Sequence, residues 1–128
     1  MRHAEAVPGA PEDEGRRLTD EGREQARALA RRLVAEGVRP DAILASPLVR
    51  ARETAEILTE ALEVPVEVEP LLRPGATAAD LRAAVEGRGG AVIAVGHQPD
   101  CGEIAAELRG SRPEKIPPAG VVAIDLHG

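Results

Sequence analysis

Phenylalanine, tryptophan and tyrosine are all missing from these 128 residues, and so is asparagine. Without aromatic rings the chain has no platforms on which unpaired bases stack, so the usual basis of single-stranded nucleic-acid binding is gone. The core has to be assembled from Leu, Val, Ile and Ala. Hydrophobic residues make up 43% of the chain, enough at this length for one such core. Cysteine is reduced to Cys101, so no internal disulfide can form and nothing marks an oxidising compartment. Lysine is reduced to Lys115, which leaves arginine to carry the positive charge. Long apolar runs are absent too: none approaches the roughly 20 residues that span a bilayer. Arg2 and His3 lead into acidic and proline-rich sequence rather than an apolar signal segment. A formal net charge of −6 disfavours a nucleic-acid surface. The expectation is a soluble cytoplasmic chain, one domain over residues 1–128, with neither nucleic acid nor membrane as partner.

What is present alternates between two periods. Residues 7–17, VPGAPEDEGRR, hold two prolines and two glycines and read as a loop. Thr19 then offers an N-cap, with Asp20 and Glu21 in a first turn where the helix dipole favours acids. Ala26, Leu29, Ala30 and Leu33 follow at helical spacing, and Gly37 supplies a C-terminal stop. DAILAS (41–46) is a short apolar run and reads as a buried strand. SPLVRARETAEILTEAL (46–62) opens with Ser46 as N-cap and Pro47 at the first helical position, a preferred pairing. Along it Leu48, Ala51, Ala55, Leu58 and Leu62 recur at steps of three and four. VPVEV (64–68) reads as an edge strand, because Pro65 cannot donate to a central ladder.

Thr77 with Asp80 forms a capping-box pattern for a short helix ending near Val85. GRGG (87–90) is a turn, and AVIAV (91–95) reads as a fully apolar buried strand. After GHQPD (96–100) a helix runs to about Leu108, followed by a proline-rich loop and a strand at VVAIDL (121–126). Strands alternating with helices define an α/β class with a mainly parallel sheet.

Three places carry residues suited to chemistry, each near the carboxyl end of a strand, where α/β proteins hold ligands. They are Arg2-His3, Arg50 in the first turn of its helix, and His97 just after AVIAVG. Singly, each has an ordinary explanation. Arg2 and His3 are then solvated terminal residues, Arg50 pairs with Glu53, and His97 is a satisfied histidine at a strand end. Converging on one point, two arginines and two histidines make a cationic pocket. Imidazole is a competent nucleophile at neutral pH, and arginine forks neutralise the oxygens of a transferring phosphoryl group. No metal enters this scheme: His97, Asp100 and Cys101 lack a zinc-like spacing.

RHAEA, RRLTDEGREQARALA, ASPLVRARETAEIL and VGHQPD occur in that order, and together they resemble the histidine phosphatase superfamily, in particular its small SixA-type phosphohistidine phosphatases. The resemblance runs from Arg2 to about Asp100. It implies a phosphoglycerate mutase-like three-layer α/β/α sandwich, no cofactor, and a covalent phosphohistidine intermediate. By matching motif positions His3 is the nucleophile, and Arg2, Arg50 and His97 bind the phosphoryl oxygens. A phosphohistidine-bearing phosphotransfer protein is the implied partner, and inorganic phosphate or sulfate the simple occupant of the pocket.

Two departures stand out. Ala4 replaces the glycine often found after Arg-His in this superfamily. Larger relatives also carry a carboxylic general acid after the edge strand, where this chain offers only Glu69 and Asp80; Glu5 and the acidic loop Glu12, Asp13 and Glu14 are the other candidates. A weak acid suits a P–N bond, whose imidazole leaving group departs easily once protonated. The short stretch between Val68 and Ala91 leaves little chain for a lid, which favours a protein substrate over a sugar phosphate. The alternatives are a small-molecule phosphomonoesterase or mutase, and a non-catalytic phosphate-binding pseudoenzyme.

In the implied fold Arg-His ends a central strand, yet only Met1 precedes it here. The reading is therefore a truncated or misassigned start, with a gap or an irregular replacement at the sheet centre.

Overall fold

The computed structural model describes residues 1–4, 6, 17–113 and 115–124. Four helices and three strands alternate: α1 (Asp20–Ala35), β1 (Ala42–Ala45), α2 (Val49–Leu62), β2 (Val66–Val68), α3 (Ala78–Val85), β3 (Val92–Val95) and α4 (Asp100–Arg109). A 3-10 turn, Pro70–Leu72, follows β2. No helix among the described residues is long and apolar enough to cross a membrane.

The strands lie in the order β2-β1-β3 and are all parallel. Ile43 is in register with Val66 on one side and Ile93 on the other, so β1, whose four residues are all buried, is central. Its side chains alternate between two layers. Ile43 and Ala45 join Leu29 and Leu33 of α1 and Ala55 and Leu58 of α2. Ala42 and Leu44 point the other way, into a smaller cluster with Leu72, Ala84 and Leu81. Helices thus cover both faces, and the α/β/α layering follows from the period-2 alternation of one four-residue strand.

Most local signals act as expected. Thr19 caps α1 by accepting from the Gly22 N–H, and Gly37 beyond it takes a left-handed φ of 75°. Thr77 and Asp80 form a complete reciprocal capping box on α3. β2 is an edge strand that begins just after Pro65.

Three expectations are corrected. First, α2 begins at Val49, with Leu48 as an N-cap that makes no side-chain bond. Ser46 does not cap it in the expected place. Its hydroxyl accepts from the Leu48 N–H at 3.3 Å and turns toward His97, so Ser46-Pro47 form the bend before the helix. Second, β3 is only partly buried: Val95 is fully covered, while Val92, Ile93 and Ala94 are half-exposed. The reason is an open edge. Ala91 and Val95 direct their carbonyls at β1, so the backbone groups of Val92 and Ala94 point away from it. On that outer side, among the described residues, Met1, Arg2 and His3 continue the sheet, through the Met1 N–H to Ala94, Gly96 N–H to Met1 and His3 N–H to Gly96. Beyond them a cavity of about 680 Å³ runs along the edge, lined by Val92, Ala94, Leu81, Ile104 and Ile116.

Third, residues 121–124 are not a strand, and 125–126 lie outside the described residues. A strand needs a partner edge, and the short N-terminal segment offers one only to Ala119 and Gly120. Arg2 N–H donates to the Gly120 carbonyl and Ala119 N–H to that of His3. The loop expected over 7–17 lies outside the described residues except for the exposed Arg17.

Candidate active site

β1 and β3 run parallel and end side by side, so the residues just past them meet at one rim. Ser46 follows β1 and Gly96-His97 follows β3. The N-terminal segment pairs with Gly96 and sets His3 beside them. α2 starts at the same rim, and its second residue, Arg50, aims inward from the positive end of the helix dipole. His3, Arg50 and His97 are buried, with relative exposures of 8%, 5% and 3%. The two imidazoles have centroids 5.3 Å apart and planes tilted by 59°. Three of the four residues singled out from the sequence thus converge.

A closed circuit of hydrogen bonds holds His3. Its Nδ1 lies 2.6 Å from the Ala4 carbonyl oxygen, which can only accept, so Nδ1 carries the ring proton. Nε2 is left with a lone pair, and the Arg50 Nε–H donates to it at 3.2 Å. The Ala4 N–H donates to Thr54 Oγ1 at 3.0 Å, and the Thr54 hydroxyl donates to the Arg50 carbonyl at 2.8 Å. The circuit runs His3, Ala4, Thr54, Arg50 and back to His3. The Ala4 methyl is fully buried against Leu18 and Ala26, so the departure from glycine is absorbed by packing.

His97 is held differently. Its Nε2 lies 2.7 Å from Ser46 Oγ, and both side chains are buried. Arg2 stands apart from this cluster. It sends one guanidinium nitrogen to the Ile116 carbonyl at 2.9 Å, while its buried Nε makes no hydrogen bond among the described residues.

The candidate acids among the described residues are engaged elsewhere. Glu69 accepts from the Leu71 N–H and pairs with Arg88 at 3.2 Å; the same Arg88 also contacts Glu67. Asp80 is consumed by its capping box. Glu5 and Asp13, with Glu12 and Glu14, lie outside the described residues. Asp100, buried at the start of α4, accepts from the Gly75 N–H at 2.7 Å and ties that helix to the loop before α3. Among the described residues no three His, Cys, Asp or Glu side chains gather as metal ligands.

Cys101 lies behind the N-terminal segment, with its thiol 3.4 Å from the Met1 carbonyl oxygen. Burial pushes the thiol above its ordinary pKa, which makes it a poor nucleophile.

Thr54 is the functional residue that sequence reading passes over. A signal was present: it sits three residues after Ala51 and four before Leu58, inside the buried stripe of α2, where a hydroxyl needs a partner.

The family model for the histidine phosphatase superfamily (branch 1) matches residues 1–75. The chain is 32% identical over 133 residues to the phosphohistidine phosphatase SixA of Escherichia coli (strain K12), spanning 98% of this chain and 83% of that protein. It superposes on the solved structure of the protein histidine phosphatase SixA complexed with tungstate with a TM-score of 0.80. That match is 29% identical and covers 98% of this chain and 91% of the other. The fold is shared as well with a mycobacterial glucosyl-3-phosphoglycerate phosphatase, at TM-score 0.64 and 23% identity over 84% of this chain and 76% of that one.

Proposed function

Because this chain belongs to the histidine phosphatase superfamily, branch 1, we propose that it hydrolyses phosphohistidine on a protein of a phosphorelay, with His3 as the covalent carrier. The observation that carries this reading is the polarity of the His3 ring. Nδ1–H is committed to the Ala4 carbonyl, and Nε2 keeps its lone pair toward Arg50, so the ring is held as a nucleophile with a defined attacking atom.

The phosphoryl group enters between His3, Arg50 and His97. Arg50 turns its guanidinium from Nε2 to the phosphoryl oxygens, where a fork of donors meets more negative charge than one imidazole lone pair presents. Arg2 is held at the Ile116 carbonyl and adds a second guanidinium only on leaving that contact, whereas His97, already in the cluster, adds a ring N–H. The Nε2–P bond forms as the substrate P–N bond breaks, and the departing imidazole leaves neutral because its other nitrogen is protonated. Water then attacks phosphorus, the Nε2–P bond breaks, and inorganic phosphate departs. The first step asks little of a general acid, in keeping with the engagement of Glu69 and Asp80 elsewhere. The relative solved with tungstate, a tetrahedral oxyanion, supports the assignment of the pocket to phosphate.

Phosphoenzyme trapping tests this. The chain is mixed with a phosphotransfer protein labelled on its phosphohistidine, quenched in alkali, and assayed for label on His3, with His3→Ala as control. Transfer followed by phosphate release is expected. Label absent from a folded chain that still binds phosphate would make it a binder rather than an enzyme. Faster turnover of sugar phosphates than of phosphohistidine would move the assignment to a small-molecule phosphatase.

A further inference from the structure

We infer that Thr54 is the positioning residue that sets the tautomer and aim of His3. The inference rests on the reading of His3 as the reacting imidazole. Thr54 is completely buried on α2, one turn beyond Arg50. Its hydroxyl is used in both directions, donating to the Arg50 carbonyl at 2.8 Å and accepting from the Ala4 N–H at 3.0 Å. Donation to a carbonyl four residues back fixes the hydroxyl rotor. With the proton so directed, a lone pair faces Ala4. The peptide that follows His3 is thereby clamped to the helix that carries Arg50.

Ala4 passes the restraint on through its backbone. Its N–H is held by Thr54, and the carbonyl of the same residue receives the His3 Nδ1–H at 2.6 Å. Only the Nδ1–H tautomer satisfies this carbonyl, and only that tautomer leaves Nε2 free to accept from Arg50 and later to attack phosphorus. The nucleophile lies on a segment otherwise tied by backbone bonds to Ala94, Gly96, Ala119 and Gly120. Without Thr54 no described side chain holds Ala4. A small rotation of that peptide swings the imidazole away from the line of attack, and misplacement near 1 Å costs about a hundredfold in rate.

Thr54→Ser keeps the hydroxyl, while Thr54→Val keeps the shape and removes it. Each is compared with the parent in steady-state turnover of a phosphohistidine protein, in inorganic phosphate binding by calorimetry, and in ¹⁵N-histidine spectra, which distinguish the two ring nitrogens. Thr54→Ser should stay within about threefold of the parent. Thr54→Val should lose about 10- to 100-fold in kcat, with phosphate affinity changed by less than about threefold and a mixture of His3 tautomers in place of Nδ1–H. A valine variant with parental kcat and tautomer, or a serine variant as impaired as the valine one, would overturn the proposal. The spectra need no turnover, so an inactive parent would count against the proposed function while leaving the tautomer result to decide this inference. Should Thr54→Val not fold, the folded parent still decides: an Nε2-protonated His3 ring is incompatible with the circuit.

Discussion

The Nε of Arg50 stands 3.2 Å from Nε2 of His3, so at rest the cation donates to the ring nitrogen proposed to attack. This contact has two consequences. It turns the Nε2 lone pair toward Arg50, and in the proposed mechanism it keeps the guanidinium beside the incoming phosphoryl oxygens.

Replacing Arg50 should therefore damage the transition state more than the fold. Arg50→Lys retains a charge but loses the planar fork, and its ammonium cannot contact Nε2 and two oxygens in turn. The expected loss in kcat is about 10²- to 10³-fold, the usual range for removal of one preorganised donor. Steady-state assays beside thermal melts check it; a Lys variant within tenfold of the parent would show that the fork is dispensable.

Ser46→Ala removes the partner of His97 Nε2 and of the Leu48 N–H together. A single neutral hydrogen bond contributes roughly 1 kcal/mol, so kcat/KM should fall about five- to tenfold. The Ser46→Ala, His97→Ala double variant should be little worse than His97→Ala alone, because Ser46 acts through that ring. A double-mutant cycle reads the coupling, and full additivity would separate the two residues.

Cys101 should alkylate slowly in the native state. Burial raises its thiol pKa, so at pH 8 iodoacetamide should modify the folded chain at least about tenfold more slowly than the urea-unfolded one. The sign for stability follows. The fold favours the neutral thiol, so the unfolded chain ionises first. The contribution is complete below the unfolded thiol pKa of about 8.5 and is lost as pH rises through the higher folded value. Urea melts at pH 7 and pH 10, with Cys101→Ala as reference, should show the parent losing more stability across that interval than the variant.

The open edge of β3 should be visible in amide exchange. Ile93 and Val95 direct their N–H groups at β1, whereas those of Val92 and Ala94 point outward. Val92 and Ala94 should exchange at least tenfold faster than their two neighbours, since unpaired strand amides have no local opening to await. Equal protection along all four residues would mean that the outer side of β3 is covered.

Local chemistry was legible wherever it is settled within a few residues. Thr19 before Asp20 and Glu21, and Thr77 three residues before Asp80, announce their helices because a cap bond spans only two or three residues. Asp80 shows the cost of reading a carboxylate by type alone: as a candidate acid it was plausible, but the same spacing that announces the cap also consumes it. Ser46 misled in the opposite sense. Beside Pro47 it looks like an N-cap, yet His97, remote in the chain, competes for its hydroxyl and the helix starts three residues later.

The sequence by itself determined the alternation of strands and helices, the apolar faces and the residue types able to handle phosphate, because those depend on periodicity and on side-chain chemistry. Tertiary structure alone decided which nitrogen of His3 faces Arg50 and that Thr54 joins the hydrogen bonds around that ring. It also decided that β3 keeps an open edge. Each of these depends on a hydrogen bond, made or left unmade, between segments far apart in the chain. Direction, distance and desolvation exist only once β1, β3 and α2 have brought their ends to one rim.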